Sequence, residues 1–395
     1  MKNKLIIGAF LLMLAAFVTM LALPADRASI EKENREMNEI PQISQENVFS
    51  GKFASDFEAY TGDNIGLRSY FTAMSKSMDS AKGITPETGS VISSNKDIGT
   101  GTTIKMTLLF VEDTVMEMFL KKEDTEKMDI DALNMFAEKL PKDIKLYSML
   151  IPTQLEFREP IYKNLQDSQT DAISEMYGML DKRVTAVDVC ETLGEHSDEY
   201  IYFRSDHHWT QLGAYYAYRA FAKTAGVTAV NNTDYKKYQI RGMLGYLYDR
   251  VNTPDVTKNP DTVEWYDLDE KEAIKVTSLK YNADGTFTES EGTMYHEDKR
   301  GYSFFFGSDY PVLELENTEK SDGKTIVVIK DSYANAFAPW LIKSYHKVIL
   351  VDPRIYEGGI DAIVDKFDPD ELLIMNYIFT TNFPDYCGML KNLCK

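Results

Sequence analysis

From residue 325 onward, short apolar runs alternate with amphipathic stretches. Thr325–Lys330, Lys347–Asp352 and Glu371–Tyr377 read as strands, six or seven residues each and rich in Val, Ile and Leu. The intervening and following segments, 334–345, Ile360–Phe367 and 384–394, read as helices, the first kinked or restarted at Pro339. Strand–helix–strand order of this kind builds a parallel sheet with right-handed crossovers. Upstream, Lys145–Pro152 is a further buried strand, followed by a helix near 170–182 and a strand at Val184–Val189. A helix is predicted from 131 to 140, stopped by Pro141, and a strand over 104–112. Leu212, Tyr215, Tyr216, Arg219, Ala220 and Phe221 trace another helix.

The remaining texture is less regular. Residues 83–102 are rich in Gly, Ser, Thr and Asn and read as loop or irregular edge strand. Phe53, Phe57 and Tyr60, then Ile65, Leu67, Tyr70 and Phe71, predict two helices around a turn at Gly62-Asp63. Residues 230–320 mix Tyr, Thr, Asp, Asn and Gly with short β-like runs at Ala273–Leu279 and Ser303–Phe306. They read as a β-rich lobe inserted into an α/β catalytic domain spanning 51–395.

The N-terminus opens on Lys2 and Lys4 before an apolar run from Leu5 to Leu23. That run is close to the length needed to span a bilayer. Basic residues before it and polar ones after it place the body outside the cytoplasm. Residues 1–25 are read as an uncleaved membrane anchor in preference to a signal peptide cut after Ala25, because Leu23 fits the −3 position poorly. Residues 26–50 then form a polar stem. A net charge of −19 repels phosphate backbones and excludes nucleic acid as a partner. Three cysteines are too few for a disulfide framework.

Candidate chemistry centres on Ser205-Asp206-His207-His208-Trp209-Thr210. Histidine titrates nearest neutrality and is the usual proton shuttle in acyl chemistry. In an extended segment Asp206 and His208 share a face, so the carboxylate can fix the ring tautomer. His207 then points the other way, and no further His or Cys cluster supports a metal site. A nucleophile is offered by Ser332, on the turn from the 325–330 strand into a helix, where its amide sits near the positive helix end. The same serine also reads as a helix N-cap. Asp331 is too close to Ser332 to reach the far ring nitrogen. Arg354 and Asn376 lie beyond other strands, at the edge where ligands sit in parallel sheets. Arg354 reads as an oxyanion or substrate clamp or as a surface ion pair, and Asn376 as an oxyanion donor or a turn cap. Trp265 and Tyr295 are the aromatic candidates for carbohydrate contact.

The Asp206–Thr210 stretch, with Tyr202 and Arg204 before it, resembles the DHHW family of bacterial envelope proteins. Gly301-Tyr302 to Pro311, Lys330–Asn335 and Val351–Arg354 match later blocks of that family in order. The family is similar to the SGNH-hydrolase-like alginate O-acetylation proteins, which carry Asp-x-His-Trp and, later, a serine in Gly-Asp-Ser. On that resemblance Asp206, His208 and Ser332 are orienter, base and nucleophile, and Arg354 lies beside the serine. The serine-last order implies a permuted, three-layer SGNH-like parallel sheet. Lys330 stands where those proteins have Gly, and no C-terminal carbohydrate-binding module is visible. The implied function is an extracytoplasmic O-acetyltransferase that modifies a surface polysaccharide through an acetyl-serine. No cofactor is called for, and a membrane-bound O-acyltransferase is the implied partner. The alternatives are an acetyl esterase and a non-catalytic, membrane-tethered glycan-binding or assembly protein.

Overall fold

The computed structural model describes residues 103–251, 255–269 and 272–395 without a break, together with 40–49, 52–64, 90–97 and a few single positions. The chain divides into two compact units, Met1–Thr85 and Pro86–Lys395. In the first, a short helix Gln45–Phe49 precedes α1 (Lys52–Asn64). α1 runs through Gly62-Asp63, where a turn was expected. The Leu5–Leu23 segment and the second expected helix lie outside the described residues. Among those described, no helix is long and apolar enough to cross a membrane.

The second unit starts with a three-stranded antiparallel sheet of β1 (Ser90–Asp97), β2 (Thr103–Val111) and β3 (Thr114–Glu117). Then come α2 (Glu123–Lys139), β4 (Lys145–Ile151), α3 (Gln169–Tyr177), β5 (Val184–Ala186) and α4 (Gln211–Ala225). Next are β6 (Lys237–Met243), β7 (Asp261–Tyr266), β8 (Ile274–Tyr281), β9 (Phe287–Glu291) and β10 (Val312–Asn317). The chain closes with β11 (Thr325–Lys330), α5 (Ala334–Leu341), β12 (Lys347–Val351), α6 (Ile360–Phe367), β13 (Glu371–Tyr377) and α7 (Pro384–Cys394).

The central sheet has eight strands in the order β5-β4-β13-β11-β12-β10-β8-β9. The first five run parallel. The last three are antiparallel, entering where β10 pairs β12 from Val312↔Val351 to Glu316↔Lys347. The sheet is therefore mixed, not the all-parallel one expected. The physical reason lies in burial. β13 is buried along its whole length and β11 along all but its first residue, as parallel strands require. β8 alternates buried and open positions, and an antiparallel edge tolerates one wet face. The 230–320 stretch thus supplies three strands to the central sheet, while β6 and β7 pair separately. Ser303–Phe306, expected as β, is a 3-10 turn over Tyr302–Phe304 followed by a bridge from Phe305 to Tyr295. α5 continues through Pro339 and ends at Leu341. The three cysteines are buried and unpaired.

Parallel strands leave a crevice beyond their carboxyl ends. Asp331 and Ser332 follow β11, Asp352 and Arg354 follow β12, and Asn376 lies near the end of β13. All three strands end on one edge of the sheet.

Candidate active site

The histidine loop is a bend, not an extended segment. Tyr202 and Trp209 bridge its base, with Thr210 N–H donating to the Ile201 carbonyl at 2.9 Å and Phe203 N–H to that of His208 at 3.2 Å. Asp261, fully buried, ties down the approach. One of its oxygens accepts from Arg204 N–H (2.9 Å) and the Tyr200 hydroxyl (2.6 Å). The other accepts from Ser205 N–H (2.8 Å) and the Ser205 hydroxyl (2.5 Å). Gly245 N–H donates to Ser205 Oγ at 2.8 Å, and Tyr246 N–H to Asp206 Oδ2 at 2.9 Å. Gly245 is required there: a Cβ on it would lie 2.3 Å from the Asp206 Cβ.

This loop and the turn after β11 meet. Asp206 Oδ1 accepts from the His208 amide (3.0 Å) and from Nδ1 (2.6 Å). With Nδ1 protonated toward the carboxylate, Nε2 is left as acceptor for the Ser332 hydroxyl, 2.7 Å away. Burial opposes ionisation of Asp206. The adjacent His208 ring, through charge and hydrogen bond, then His207 and the Tyr246 amide, more than offset it and hold the carboxyl well below the usual range. The His208 ring lies flat on Tyr302, with centroids 3.6 Å apart and planes at 5°. Trp209 is buried beneath the loop. Its Nε1–H donates to the Tyr333 carbonyl at 2.9 Å, which also accepts the Tyr302 hydroxyl at 3.0 Å.

Ser332 is half-buried, while its neighbours Asp331 and Tyr333 are buried. Asp331 does not reach His208. It accepts from Tyr333 N–H (2.9 Å) and Tyr377 N–H (2.8 Å), pinning the serine turn to the end of β13. Burial pushes its carboxyl up against those two amides. Among the described residues the Ser332 amide has no hydrogen-bond partner, so it is available as a donor.

Lys330, 2% exposed, fills the space a Gly would leave. Its Nζ donates to Asp309 (2.6 Å) and to Asn335 Oδ1 (3.1 Å) and lies 3.3 Å from Asp352. Arg354 Nε donates to Asp352 at 2.8 Å, and Nη2 to Asp309 at 2.7 Å and Asp352 at 2.5 Å. These contacts form an ion pair through Nε and Nη2, while Nη1 keeps no partner among the described residues. Asn376 is 3% exposed. Its amide nitrogen donates to the Tyr386 hydroxyl and approaches Asp331 at 3.5 Å. The structure gives both its donors other partners and brings neither to Ser332.

His207 departs from expectation. Its ring lies 3.9 Å from that of His208 instead of on the opposite face, because the bend turns both inward. Ligand atoms of Asp206, His207 and His208 lie within 4.8 Å of one another. A cation held by all three would displace the Asp206–His208 bond, so metal binding and proton relay compete for the same atoms. Trp265 and Tyr295 are packed inward, Trp265 4.5 Å from Phe304 and Tyr295 donating to the Tyr266 carbonyl at 3.0 Å. Neither is presented to a glycan. A surface hollow lined by Lys121, Asp167, Asp171 and Glu175 contains none of the groups around Ser332.

Sequence reasoning missed Asp261, Tyr246, Asp309 and the stacking role of Tyr302. Tyr302 and Asp309 carried a signal, both lying in the Gly301–Pro311 block.

Fold and site define a mixed α/β protein whose sheet edge gathers a serine, a histidine and an aspartate into one hydrogen-bonded line. The DHHW protein family model matches residues 87–351, and the chain belongs to that family. A solved DHHW family protein from Eubacterium siraeum superposes with a TM-score of 0.63 at 24% identity, covering 76% of this chain and 99% of that one. PatB1 from Bacillus cereus gives 0.55 at 18% identity, covering 70% and 97%. The same protein with a sulfonyl adduct gives 0.56 at 19% identity, covering 69% and 97%. At these identities the likeness is one of fold. No curated protein matches the chain.

Proposed function

We propose that this protein is an acyl-transfer enzyme in which Ser332 is the nucleophile, His208 the general base and Asp206 its orienter. The observation that carries the reading is the unbroken line from Asp206 Oδ1 through the imidazole to Ser332 Oγ, with links of 2.6 and 2.7 Å. Such an arrangement activates an alcohol that is inert at neutral pH. Ser332 Oγ attacks the carbonyl carbon of an acetyl ester while Nε2 takes the hydroxyl proton. The Ser332 amide is placed to meet the developing oxyanion. Nε2–H then protonates the leaving oxygen, and an acetyl-serine remains. A sugar hydroxyl, deprotonated by Nε2, takes the acetyl group and restores the serine. Arg354 keeps Nη1 without a partner among the described residues and is assigned as a second donor to the oxyanion or substrate, while Asn376, bonded to Tyr386 and close to Asp331, is assigned to the frame around this turn.

The full reading is an SGNH-like O-acetyltransferase of permuted motif order, acting outside the cytoplasm on a surface polysaccharide. An N-terminal anchor holds it at the membrane. A membrane-bound O-acyltransferase partner supplies the acetyl groups. With water as acceptor the same site is an acetyl esterase. Hydrolysis of 4-nitrophenyl acetate by the protein and by Ser332→Ala tests the core of the proposal. Loss of turnover and of the acetyl-serine mass shift in the variant is the expected result. Equal rates would leave a non-catalytic binding protein.

A further inference from the structure

We infer that Tyr302 is a positioning residue for the reaction: its ring holds the His208 imidazole in register with Ser332 and stabilises the positive charge that the imidazole carries midway through acyl transfer. The inference rests on the acyl-transfer reading above and adds to it a group that acts through the base. The rings of His208 and Tyr302 have centroids 3.6 Å apart and planes at 5°. Between parallel rings so small a separation is little more than their own thickness, so the two overlap almost completely. Neutral aromatic rings avoid that arrangement, because their negative faces meet, and prefer an offset or an edge. A positively charged ring favours it, since the face of a phenol attracts a cation. The stack therefore suits imidazolium better than imidazole.

When Nε2 takes the Ser332 proton across 2.7 Å, the ring gains that charge. It gives the charge up again when the leaving oxygen is protonated. Asp206 meets the charge in the plane of the ring, through Nδ1 at 2.6 Å, and Tyr302 meets it from the face. An interaction that is stronger at the top of the barrier than in the resting enzyme speeds the chemical step. Tyr302 is also fixed on its other sides. It is buried, and Phe305 and Phe203 meet its ring at 63° and 85° with centroids at 5.5 and 6.4 Å. Its hydroxyl donates to the Tyr333 carbonyl at 3.0 Å and accepts from Ala336 N–H at 3.3 Å. Both partners lie just after Ser332, so the phenol ties the base to the turn that carries the nucleophile. Burial raises the phenol ionisation well above the ordinary tyrosine range, so the ring stays neutral and the hydroxyl stays a donor.

The test varies this ring in the full-length protein and reads the single-turnover rate at which 4-nitrophenyl acetate acylates Ser332. Tyr302→Leu is expected to lose about thirtyfold in the saturating rate, with the half-saturating concentration little changed, and Tyr302→Phe to recover most of that loss. Charge is then separated from shape by placing phenylalanine, 3-fluorophenylalanine and 3,5-difluorophenylalanine at position 302. Fluorine draws electrons from the ring face at almost constant size, so the rate is expected to fall stepwise, by about fivefold over the series, with the melting temperature unchanged. The fluorinated series stands whether or not the Leu variant folds. A Leu variant at the wild-type rate, or a rate indifferent to fluorination, would overturn the inference and leave Ser332 chemistry intact. No acylation of Ser332 in the unaltered protein would remove the acyl-transfer reading itself, and the inference with it.

Discussion

Gly245 offers a test of how tightly the histidine loop is held, without touching the reacting groups. Its backbone is of a kind any residue adopts, so Gly245→Ala adds only a methyl group. That Cβ would sit 2.3 Å from the Asp206 Cβ and 2.7 Å from the Ser205 carbonyl oxygen. The first distance is roughly 1.2 Å inside the ~3.5 Å carbon–carbon contact distance. Both neighbours are main chain or a short buried side chain, so the strand of chain at 245–246 or the aspartate itself must withdraw. Withdrawal by that amount breaks the 2.9 Å bond from Tyr246 N–H to Asp206 Oδ2. It also swings the carboxylate away from Nδ1. Displacement of a catalytic group by about 1 Å costs about a hundredfold in rate. Overpacking of this kind costs about 1–3 kcal/mol of stability. The expected result is a kcat for 4-nitrophenyl acetate lower by about two orders of magnitude, a KM little changed and a lower melting temperature. A G245A protein with wild-type kcat and melting temperature would refute the reasoning, because the close approach would then not be what seats Asp206.

Other substitutions probe separate links. Asp206→Asn keeps the side-chain shape but removes the charge that fixes the His208 tautomer, and kcat should fall by about 10⁴ with circular dichroism unchanged. Lys330→Met strands Asp309 and Asp352 without their buried cation. It should destabilise by about 3–5 kcal/mol in urea unfolding. Asp309 itself is opposed by burial but held low by Lys330 and Arg354. Its contribution is therefore present above the unfolded carboxyl value of about 3.9 and drains away as pH falls below it, so acid melting of wild type but not of Asp309→Asn should steepen there. Asp129 has the opposite sign. Burial, only partly relieved by a hydrogen bond from Cys387, pushes its carboxyl up to about 7. Ionisation is then a growing penalty between about pH 4 and 7, and Asp129→Asn should raise the melting temperature at pH 8 and leave it unchanged at pH 4.

What could be read from the chain was what repeats locally. β11, β12 and β13 are short runs of β-branched and aliphatic residues between Gly, Pro and Asp, and their bounds emerge within a residue. α2 was read too short, because Glu126 and Asp129 at its start are buried acids that break the apolar pattern. β8 and β10 carry no local sign of their partners. Their place in the central sheet is decided by register against β12, which pattern reading does not reach. Asp206, His208 and Ser332 were legible as chemistry by type and order. The pairing of Asp206 with His208 was anticipated from an extended strand, whereas a bend with Asp206 accepting the His208 amide produces it. The same bend explains why His207 came out on the wrong side. Asp261, some fifty-six positions from the loop it anchors, lies in no pattern at all.

The Tyr333 carbonyl joins Trp209, 124 positions upstream, to the serine turn. Nearly all of the protein must therefore have left the ribosome before the indole finds its acceptor or the imidazole its alcohol. A nascent chain halted ahead of Ser332 holds a histidine without the hydroxyl its Nε2 meets in the finished fold. On the acyl-transfer proposal, acylation of an unfinished chain is avoided by connectivity alone, since long-range closure comes late.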